Sequence, residues 1–304
     1  MSFSEDVKKE LCKIEPHDFW HLMSETYGLM LFSKNFNKES IVFLTENKIV
    51  ADKFVDLSVR LTGSIVDIKT KLSFRDRNKI LYSLSIPDRN HRENILKLFH
   101  VDDNVKVNKK IFYNESCTGD FLRGVFLSCG RISDPNKEYR LEFDVNHKEL
   151  LNDLTSIING LENIKIKVNI FKRNCTNVIY IKDNEQISEF LTLIGAQNSA
   201  MKFIQVKMLK EVRNYVNRTT NFQTANIGKT AAASLVQIEA INNIKKKKGL
   251  RYLSDELRMV AEIRLSNPEL SLKELEEIFP VPISRSGLNH RLNKIIEISK
   301  GIDD

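Results

Sequence analysis

One stretch, residues 120–130 (DFLRGVFLSCG), most constrains how this chain can fold. It is apolar on most sides, which predicts a helix that is buried on most sides. Gly124 lies in the middle of that helix, where glycine costs about 1 kcal/mol relative to alanine. The cost is explained if the helix must approach another backbone closely. We expect the partner helix within residues 17–34, with Gly28 at the crossing point.

The predicted elements follow one another in the same order twice. Apolar spacing and β-branched content indicate a helix, a strand, a helix, two strands and a helix in residues 1–100, and again in residues 101–197. Residues 164–170 alternate between apolar and polar side chains, as a half-buried strand does. We therefore predict an α+β domain of two pseudo-symmetric halves, whose opening helices pack side by side and whose sheets each keep one open face.

The second opening helix carries part of a known motif. Residues 122–130 match the first leucine and both glycines of the nine-residue motif that names the LAGLIDADG homing endonucleases, and the predicted domain resembles their fold. The resemblance implies a metal-holding acid in the eighth motif position, but Cys129 and, in the first copy, Ser33 stand there. A thiol and a hydroxyl do not supply the anionic oxygen that Mg²⁺ requires, so we expect no catalytic residue, no metal and no cofactor. The degenerate motif positions are Gly28, Ser33, Gly124, Cys129 and Gly130.

The open sheet faces leave three roles possible: DNA binding, as in the endonucleases, docking of another protein, or a scaffold. Basic and polar residues on the predicted strands could meet DNA, namely Lys69, Lys71, Arg140, Lys165, Lys167 and Asn169. The same strands also expose Asp67, Glu142 and Asp144, a mixture typical of a solvated sheet. The sequence alone does not choose among the three roles.

Charge is distributed unevenly along the chain. The net charge is +7 and the pI about 9.1, which favours a polyanionic partner. Residues 1–199 hold 29 Lys and Arg against 28 Asp and Glu, whereas residues 200–304 hold 18 against 12. The basic excess therefore belongs to the C-terminal third. The four cysteines are scattered, which indicates neither a zinc site nor a disulfide framework. With no membrane-spanning run and no signal-peptide pattern, we expect no membrane association and a cytoplasmic location.

Residues 198–226 are predicted to form a linker helix and a loop, followed by a helical domain over residues 227–304. The loop prediction rests on residues 217–226, which are rich in Asn and Thr and can either form a plain surface loop or contact phosphate through Arg218 and the asparagines. A predicted helix over residues 228–244 precedes four lysines, which either complement the helix end or contact phosphate. The candidate phosphate contacts are Arg218, Lys245, Lys246, Lys247 and Lys248.

The sharpest local signal lies near the C-terminus. Ser271 and Glu274 have capping-box spacing and open a helix about two turns long, which Pro280 must end. After a break of three to four residues, Ser284 or Ser286 caps a longer helix that reaches about residue 299. This is the helix-turn-helix layout, in which the second helix enters the major groove of DNA. The predicted DNA-binding residues are Ser271, Lys273, Ser284, Arg285, Ser286, Asn289, His290, Arg291 and Lys294.

Roles follow from the chemistry of these side chains. Ser286, Asn289 and His290 can hydrogen-bond base edges, and Arg285 can reach a guanine or a phosphate. Arg291 and Lys294 are placed for the DNA backbone. We reject a metal or catalytic role for His290, because no second ligand stands at metal-binding spacing on its helix.

The order of these parts is similar to that of the WhiA family of bacterial regulators. The most specific stretches are residues 121–127, residues 217–226 and residues 284–292. The resemblance implies a non-enzymatic, nucleoid-associated transcription regulator that binds double-stranded DNA, with its N-terminal domain open to docking by another transcription regulator. It further implies roles in cell division, chromosome segregation and, where it occurs, sporulation. Two alternatives remain: a metal-dependent DNA endonuclease, and an interaction scaffold with a loosely nucleic-acid-binding tail.

Overall fold

The computed structural model describes residues 2–72, 80–101, 106–112, 115–174 and 176–303. The chain divides into two compact units, residues 1–210 and residues 211–304. Part of the predicted strand over residues 65–73 and of that over residues 79–86 lies outside the described residues, as does Cys175. In the described part of the chain, no helix is both long enough and apolar enough to cross a membrane.

The first unit opens with a short helix, α1 (Phe3–Leu11), and then contains two series of the same seven elements. The first series comprises α2 (Phe19–Leu31), β1 (Asn35–Phe36), β2 (Ile41–Thr45), α3 (Lys48–Thr62), β3 (Asp67–Leu72), β4 (Ile80–Ser85) and α4 (Arg89–Leu98). Its four strands form an antiparallel sheet in the order β1-β2-β4-β3. Gly63 ends α3 in the left-handed conformation, with φ of +65°.

The second series repeats the first. It comprises α5 (Glu115–Cys129), β5 (Gly130–Ile132), β6 (Leu141–Val145), α6 (Lys148–Asn159), β7 (Asn169–Arg173), β8 (Thr176–Ile181) and α7 (Asn184–Leu193). Its sheet has the equivalent antiparallel order β5-β6-β8-β7. The predicted repeat is confirmed, with one added edge strand in each half. Those strands, β1 and β5, contain only two and three residues, too few to show an alternating pattern.

The opening helices α2 and α5 cross at their glycines, as predicted. A Cβ atom added at Gly28 would overlap the carbonyl oxygen of Phe121, and one added at Gly124 would overlap that of Glu25. The added atom at Gly124 would also lie 2.7 Å from the amide nitrogen of Leu29. The two clashes are equivalent under the internal repeat, so each glycine makes room for the other helix. Side chains of α2, α5 and both sheets share one apolar core in this unit.

The prediction for residues 164–170 is wrong in its extent. The strand β7 begins only at Asn169, although the apolar residues of the preceding stretch point inward as expected, with Ile166 buried. The pairing of Arg173 with Thr176 across a tight turn fixes the register of β7 on β8. In that register the partners of residues 164–167 would lie beyond the end of β8, where the side chain of Asp183 already caps α7. The amide of Lys167 instead donates to Gln186 Oε1 at 2.8 Å.

The predicted loop over residues 217–226 is also wrong, because this stretch lies inside one continuous helix, α8 (Gln197–Lys247). The division between the two units therefore falls within α8, between Lys210 and Glu211, and not at the predicted loop. The residues of the stretch disfavour helix only weakly, by well under about 1 kcal/mol each. Local propensity of that size does not end a helix that both units extend.

The second unit is all-helical, as predicted. After α8 come α9 (Asp255–Ser266), α10 (Leu272–Ile278) and α11 (Arg285–Asp303). The capping box of Ser271 and Glu274 opens α10 as predicted, with both of its hydrogen bonds formed. The break between α10 and α11 is longer than predicted, because it runs over residues 279–284. Phe279 is extended, and Pro280 and Pro282 hold the following chain out of the helical conformation.

Candidate nucleic-acid interface

The helix α11 is buried along one side and exposed along the other. Apolar residues on its inner side pack in the core of the second unit, which is formed by Ile241, Ile244, Leu253, Leu257, Val260, Ala261, Leu275, Leu288, Leu292 and Ile295. Positions on the opposite side of the helical repeat are exposed. The N-terminal part of this exposed side carries Ser286, Asn289, His290, Asn293 and Lys294, which we call the α11 outer face, and the exposed Glu297 follows on the same side.

Buried polar groups fix the helices that present this face. Arg264 on α9 is almost completely buried, and its guanidinium donates to the carbonyl oxygen of Leu270 at 2.7 Å, just before α10. The hydroxyl of Ser234 donates to the carbonyl of Pro268 at 2.5 Å. On α11, the hydroxyl of Ser299 accepts a 3.1 Å hydrogen bond from the side chain of Asn243 on α8. These contacts hold the turn before α10 and one end of α11 in place.

Two of the serines predicted to bind DNA cap helices in the structure. The hydroxyl of Ser271 accepts from the amide of Glu274 at 3.3 Å and so caps α10. Ser284 plays the same part for α11, because its hydroxyl accepts from the amide of Gly287 at 3.2 Å and lies 2.9 Å from the hydroxyl of Ser286. Of the two predicted caps for this helix, Ser284 is therefore the one that the structure uses.

The charged residues around α11 separate into exposed and paired ones. Lys273, Arg285 and Lys294 are exposed. Arg291, predicted to contact the DNA backbone, is half-buried and forms an ion pair with Glu256 on α9, with Nη2 and Oε2 3.1 Å apart. The structure thus gives Arg291 a helix-to-helix contact that the sequence did not reveal, because its partner lies far along the chain.

The prediction missed Asn293, which belongs to the outer face. It stands four residues after Asn289 and three after His290, and it is exposed. The helical repeat alone places it beside both residues. Extending the same spacing by one turn from Asn289 would have found it.

The other predicted phosphate contacts lie on or just after α8. Arg218 is exposed within the continuous helix, and the lysines after Ile244 are all exposed at its C-terminal end. Lysines in the last turn complement the negative end of the helix dipole whether or not they also meet phosphate. Both interpretations of the lysines therefore stay open.

In the first unit, the end of the crossing helices does not fit a metal ion. Burial raises the pKa of the Cys129 thiol to about 12, so the sulfur is protonated, and it donates to the carbonyl of Val125 at 3.5 Å. The hydroxyl of Ser33 donates to the carbonyl of Asn35 at 3.0 Å. The side chain of Lys8 reaches the last turn of α5 and donates to Leu127 O at 3.2 Å, and burial lowers the pKa of this amine. A protonated thiol and an engaged hydroxyl are a poor donor set for Mg²⁺.

Two acids near the former motif, one within α5 and one after it, are engaged elsewhere. Asp120 is buried against the guanidinium of Arg123, which also lies 3.2 Å from Glu25. Asp134 accepts from the amide of Asn136 at 2.9 Å and forms a turn. Among the described residues, no group of three or more His, Cys, Asp or Glu side chains is placed to hold a metal ion.

The open face of the second sheet carries an arginine cluster that is already paired. Glu142 is almost completely buried and is bonded by three arginines, namely Arg131, Arg140 and Arg173. Arg140 also lies over the rings of Phe171 and Tyr180, 5.2 and 4.6 Å from their centroids. Of the other residues predicted for the sheet faces, Lys69 and Lys71 lie on β3, Asn169 begins β7, and Lys165 and Lys167 lie outside the strands.

Comparisons with known proteins match both units of the chain. Residues 118–213 match the WhiA LAGLIDADG-like domain, and residues 216–299 match the WhiA C-terminal HTH domain. The probable cell division protein WhiA of Thermoanaerobacter sp. strain X514 is 38% identical over 318 residues, covering 100% of this chain and 99% of the relative. The protein of the same name from Ruminiclostridium cellulolyticum is 36% identical, covering 99% and 98%.

The fold comparison agrees with the sequence comparison. The crystal structure of full-length DUF199/WhiA from Thermatoga maritima is 27% identical and covers 99% of both chains, with a TM-score of 0.63. Fold and interface together define a protein with a degenerate LAGLIDADG-like domain followed by a helix-turn-helix domain. The chain belongs to the WhiA family.

Proposed function

We propose that this protein is a sequence-specific, non-catalytic DNA-binding transcription regulator of cell division, located in the cytoplasm at the nucleoid. Its further roles are in chromosome segregation and, where the organism sporulates, in sporulation. The cell-division role is supported by the name of its relatives, probable cell division protein WhiA. DNA binding is supported above all by one observation, the α11 outer face on a helix whose other side is anchored in a core.

The chemistry of the outer face suits base recognition in the major groove. An Asn side chain can pair with the N6 and N7 atoms of adenine through two hydrogen bonds, and Asn289 and Asn293 both offer that geometry. Lys294 provides a charge for the DNA backbone, and Arg285 lies at the helix start, where the dipole also favours a phosphate. Asn289 therefore contributes specificity, and Lys294 contributes sequence-independent affinity.

DNA-binding anisotropy of the full chain, with a preferred and a random duplex at several salt concentrations, tests this division. Asn289→Ala should narrow the affinity gap between the two duplexes by about 1–3 kcal/mol. Lys294→Ala should weaken both alike and reduce the slope of log affinity against log salt by about 0.9. The control is Gln223→Ala, an exposed amide on α8, which should change neither quantity. Equal binding by all four proteins would refute the assignment of the interface.

The absence of catalysis is supported by the groups at the former motif positions, the engaged hydroxyl of Ser33 and the protonated thiol of Cys129. The test is incubation of stoichiometric protein with plasmid DNA and Mg²⁺ or Mn²⁺. Supercoiled plasmid should persist at all times. Strand breaks that a chelator prevents would instead establish a metal-dependent endonuclease.

The first unit serves, in this proposal, as the docking platform for another transcription regulator. The near-neutral charge of residues 1–199 supports this role, as does the pairing of three arginines with Glu142 on the second sheet. An arginine already bonded to a carboxylate has little to gain from a phosphate. Arg173→Gln should therefore leave the DNA affinity of the full chain unchanged. A tenfold loss would assign this sheet face to DNA.

A further inference from the structure

Gly228 in the second unit is a helical glycine that no contact within the described chain requires. Gly28 and Gly124 lie within helices, and the crossing explains why both positions are glycine. A side chain at either one would collide with the backbone of the other helix. Gly228 also lies within a helix, α8, but a Cβ atom added there would meet no atom within 4 Å. Glycine is disfavoured in a helix relative to alanine. If the cost at Gly228 has the same cause as at the other two, the closely approaching group comes from outside the described chain.

Asparagines share one side of α8 with this glycine. Asn214, Asn217 and Asn221 are spaced by three and four residues, and seven more residues lead to Gly228, so all four lie along the same side. We call these four residues the α8 amide face. All are exposed, and within the described part of the chain the three asparagine side chains form no hydrogen bond. The opposite side carries Val212, whose side chain offers no hydrogen bond.

All charged residues in the part of α8 that contains the amide face are basic. No Asp or Glu occurs between Glu211 and Glu239, although the chain as a whole holds 40 such residues among 304. Glu is among the best helix formers, and an exposed helix usually uses it. Here the charged residues are Arg213, Arg218 and Lys229. An exposed helix that carries amides, cations and no acids is complementary to an anionic partner such as the DNA backbone, and not to a basic protein surface.

We propose that the α8 amide face is a second contact with duplex DNA, in which the asparagine side chains donate to the sugar-phosphate backbone and Gly228 lets that backbone approach the helix. The face spans about 21 Å from Asn214 to Gly228, enough to follow several successive phosphates. It belongs to the same compact unit as α11, so one unit holds DNA at two places. This inference rests on the proposed function, because it adds a contact to the DNA that α11 reads.

The first experiment removes the amides while improving the helix. The full chain carrying Asn217→Ala and Asn221→Ala is compared with a chain carrying Thr219→Ala and Gln223→Ala, a pair of the same spacing on the other side of α8. Alanine favours the helix more than any of these residues, so damage to the fold cannot explain a loss. The asparagine pair should bind duplex DNA about tenfold more weakly, and the control pair should bind as the natural protein does. Equal affinity of the two variants would overturn the proposal.

The second experiment tests the close approach. Gly228→Ala should raise the thermal stability of the helix and yet weaken DNA binding several-fold, because the new methyl group stands where the duplex must come near. Gly301→Ala is the matched control, since Gly301 is also helical and also has open space around it. That variant should leave the affinity unchanged. Unchanged affinity in Gly228→Ala would contradict the approach of DNA at this point.

Asn289→Ala in α11 separates this inference from the proposed function. If it narrows the specificity gap while the amide-face variants bind normally, the second contact is wrong and the proposed function stands. If neither set of variants changes binding, both are wrong. Arg218→Gln adds an independent measure, because the loss of one phosphate contact should lower the salt slope by about 0.9.

Discussion

The crossing helices α2 and α5 and the helix α11 carry the two motifs of this chain, and they differ in what they leave exposed. At the crossing, Gly28 and Gly124 bring two backbones together, and the surrounding residues are buried on every side. On α11, one side is buried and the other presents exposed polar side chains to solvent. A motif that is buried on all sides can hold a fold together, whereas DNA recognition needs a face that remains free. The comparison assigns stability to the crossing helices α2 and α5. In the proposed function, it assigns DNA recognition to α11.

Changing Gly124 should have the largest effect on stability. In Gly124→Val, the new side chain would overlap the carbonyl oxygen of Glu25 and press on the amide of Leu29, neither of which can move without separating the helices. We expect a loss of about 3 kcal/mol or more in the free energy of unfolding of the first unit, measured by urea denaturation. Gly228→Ala, a helical glycine in open space, should instead stabilise the chain by about 0.5–1 kcal/mol. Equal midpoints for both variants would show that the helices do not cross at this glycine.

Arg123 should rank next, because it is the cation between two buried acids at the same crossing. Its guanidinium is paired with Asp120 and Glu25 and also donates to the carbonyl of Ile194 at 3.2 Å. Arg123→Met leaves both carboxylates without this partner and should cost about 3 kcal/mol. Arg131→Met, which removes a more exposed arginine of the sheet cluster, should cost much less.

The pH dependence sharpens this prediction. Burial raises the pKa of Glu25 above its ordinary value of 4.5, despite the attraction of Arg123. A raised pKa in the folded state gives a contribution to stability that is present below pH 4.5 and is lost as the pH rises through the folded value. Natural protein should therefore lose stability relative to Glu25→Gln as the pH increases from 4.5. The cost of Arg123→Met should grow in the same direction, and a cost independent of pH would contradict the buried pairing.

Ser271 should have a smaller effect, because the capping box is a local device at the surface. Ser271→Ala removes the acceptor for the amide of Glu274 and should cost about 1 kcal/mol of stability in the second unit. Hydrogen bonds from the backbone amide and hydroxyl of Ser271 lower the pKa of Glu274, so the contribution of that carboxylate is present above pH 4.5 and is lost as the pH falls. Thermal melting at pH 7 and pH 4 measures both effects, with Ser286→Ala as the control. An unchanged melting temperature would mean that α10 does not depend on its cap.

Features with short-range causes were predictable from the sequence. The capping box and the stop at Gly63 each follow from the needs of a few neighbouring residues. The repeated order of apolar patterns predicted the arrangement of the two halves and the pairing of Gly28 with Gly124, and the charge distribution pointed to the C-terminal third.

Features set by distant residues were not predictable. The late start of β7 depends on the turn and on the cap of α7, and the continuity of α8 depends on support from both of its ends. The pairing of Arg140 with Glu142 was hidden for a different reason. Both residues were assigned to one face of a strand, but whether they bond to each other or meet a ligand depends on side-chain conformation.

Arg291 provides the finest test of the comparison, because it lies on α11 but is paired with Glu256 on α9. This ion pair leaves Arg291 less available to DNA than Lys294, although both were predicted to contact the DNA backbone. Arg291→Gln should change the salt slope of DNA binding by far less than the 0.9 expected for Lys294→Ala. It should lower stability by no more than about 1 kcal/mol, the usual range for an exposed pair. Glu256→Gln should release Arg291 and steepen the salt dependence. If Arg291→Gln instead lowers the slope of log affinity against log salt by a full unit, Arg291 contacts a DNA phosphate.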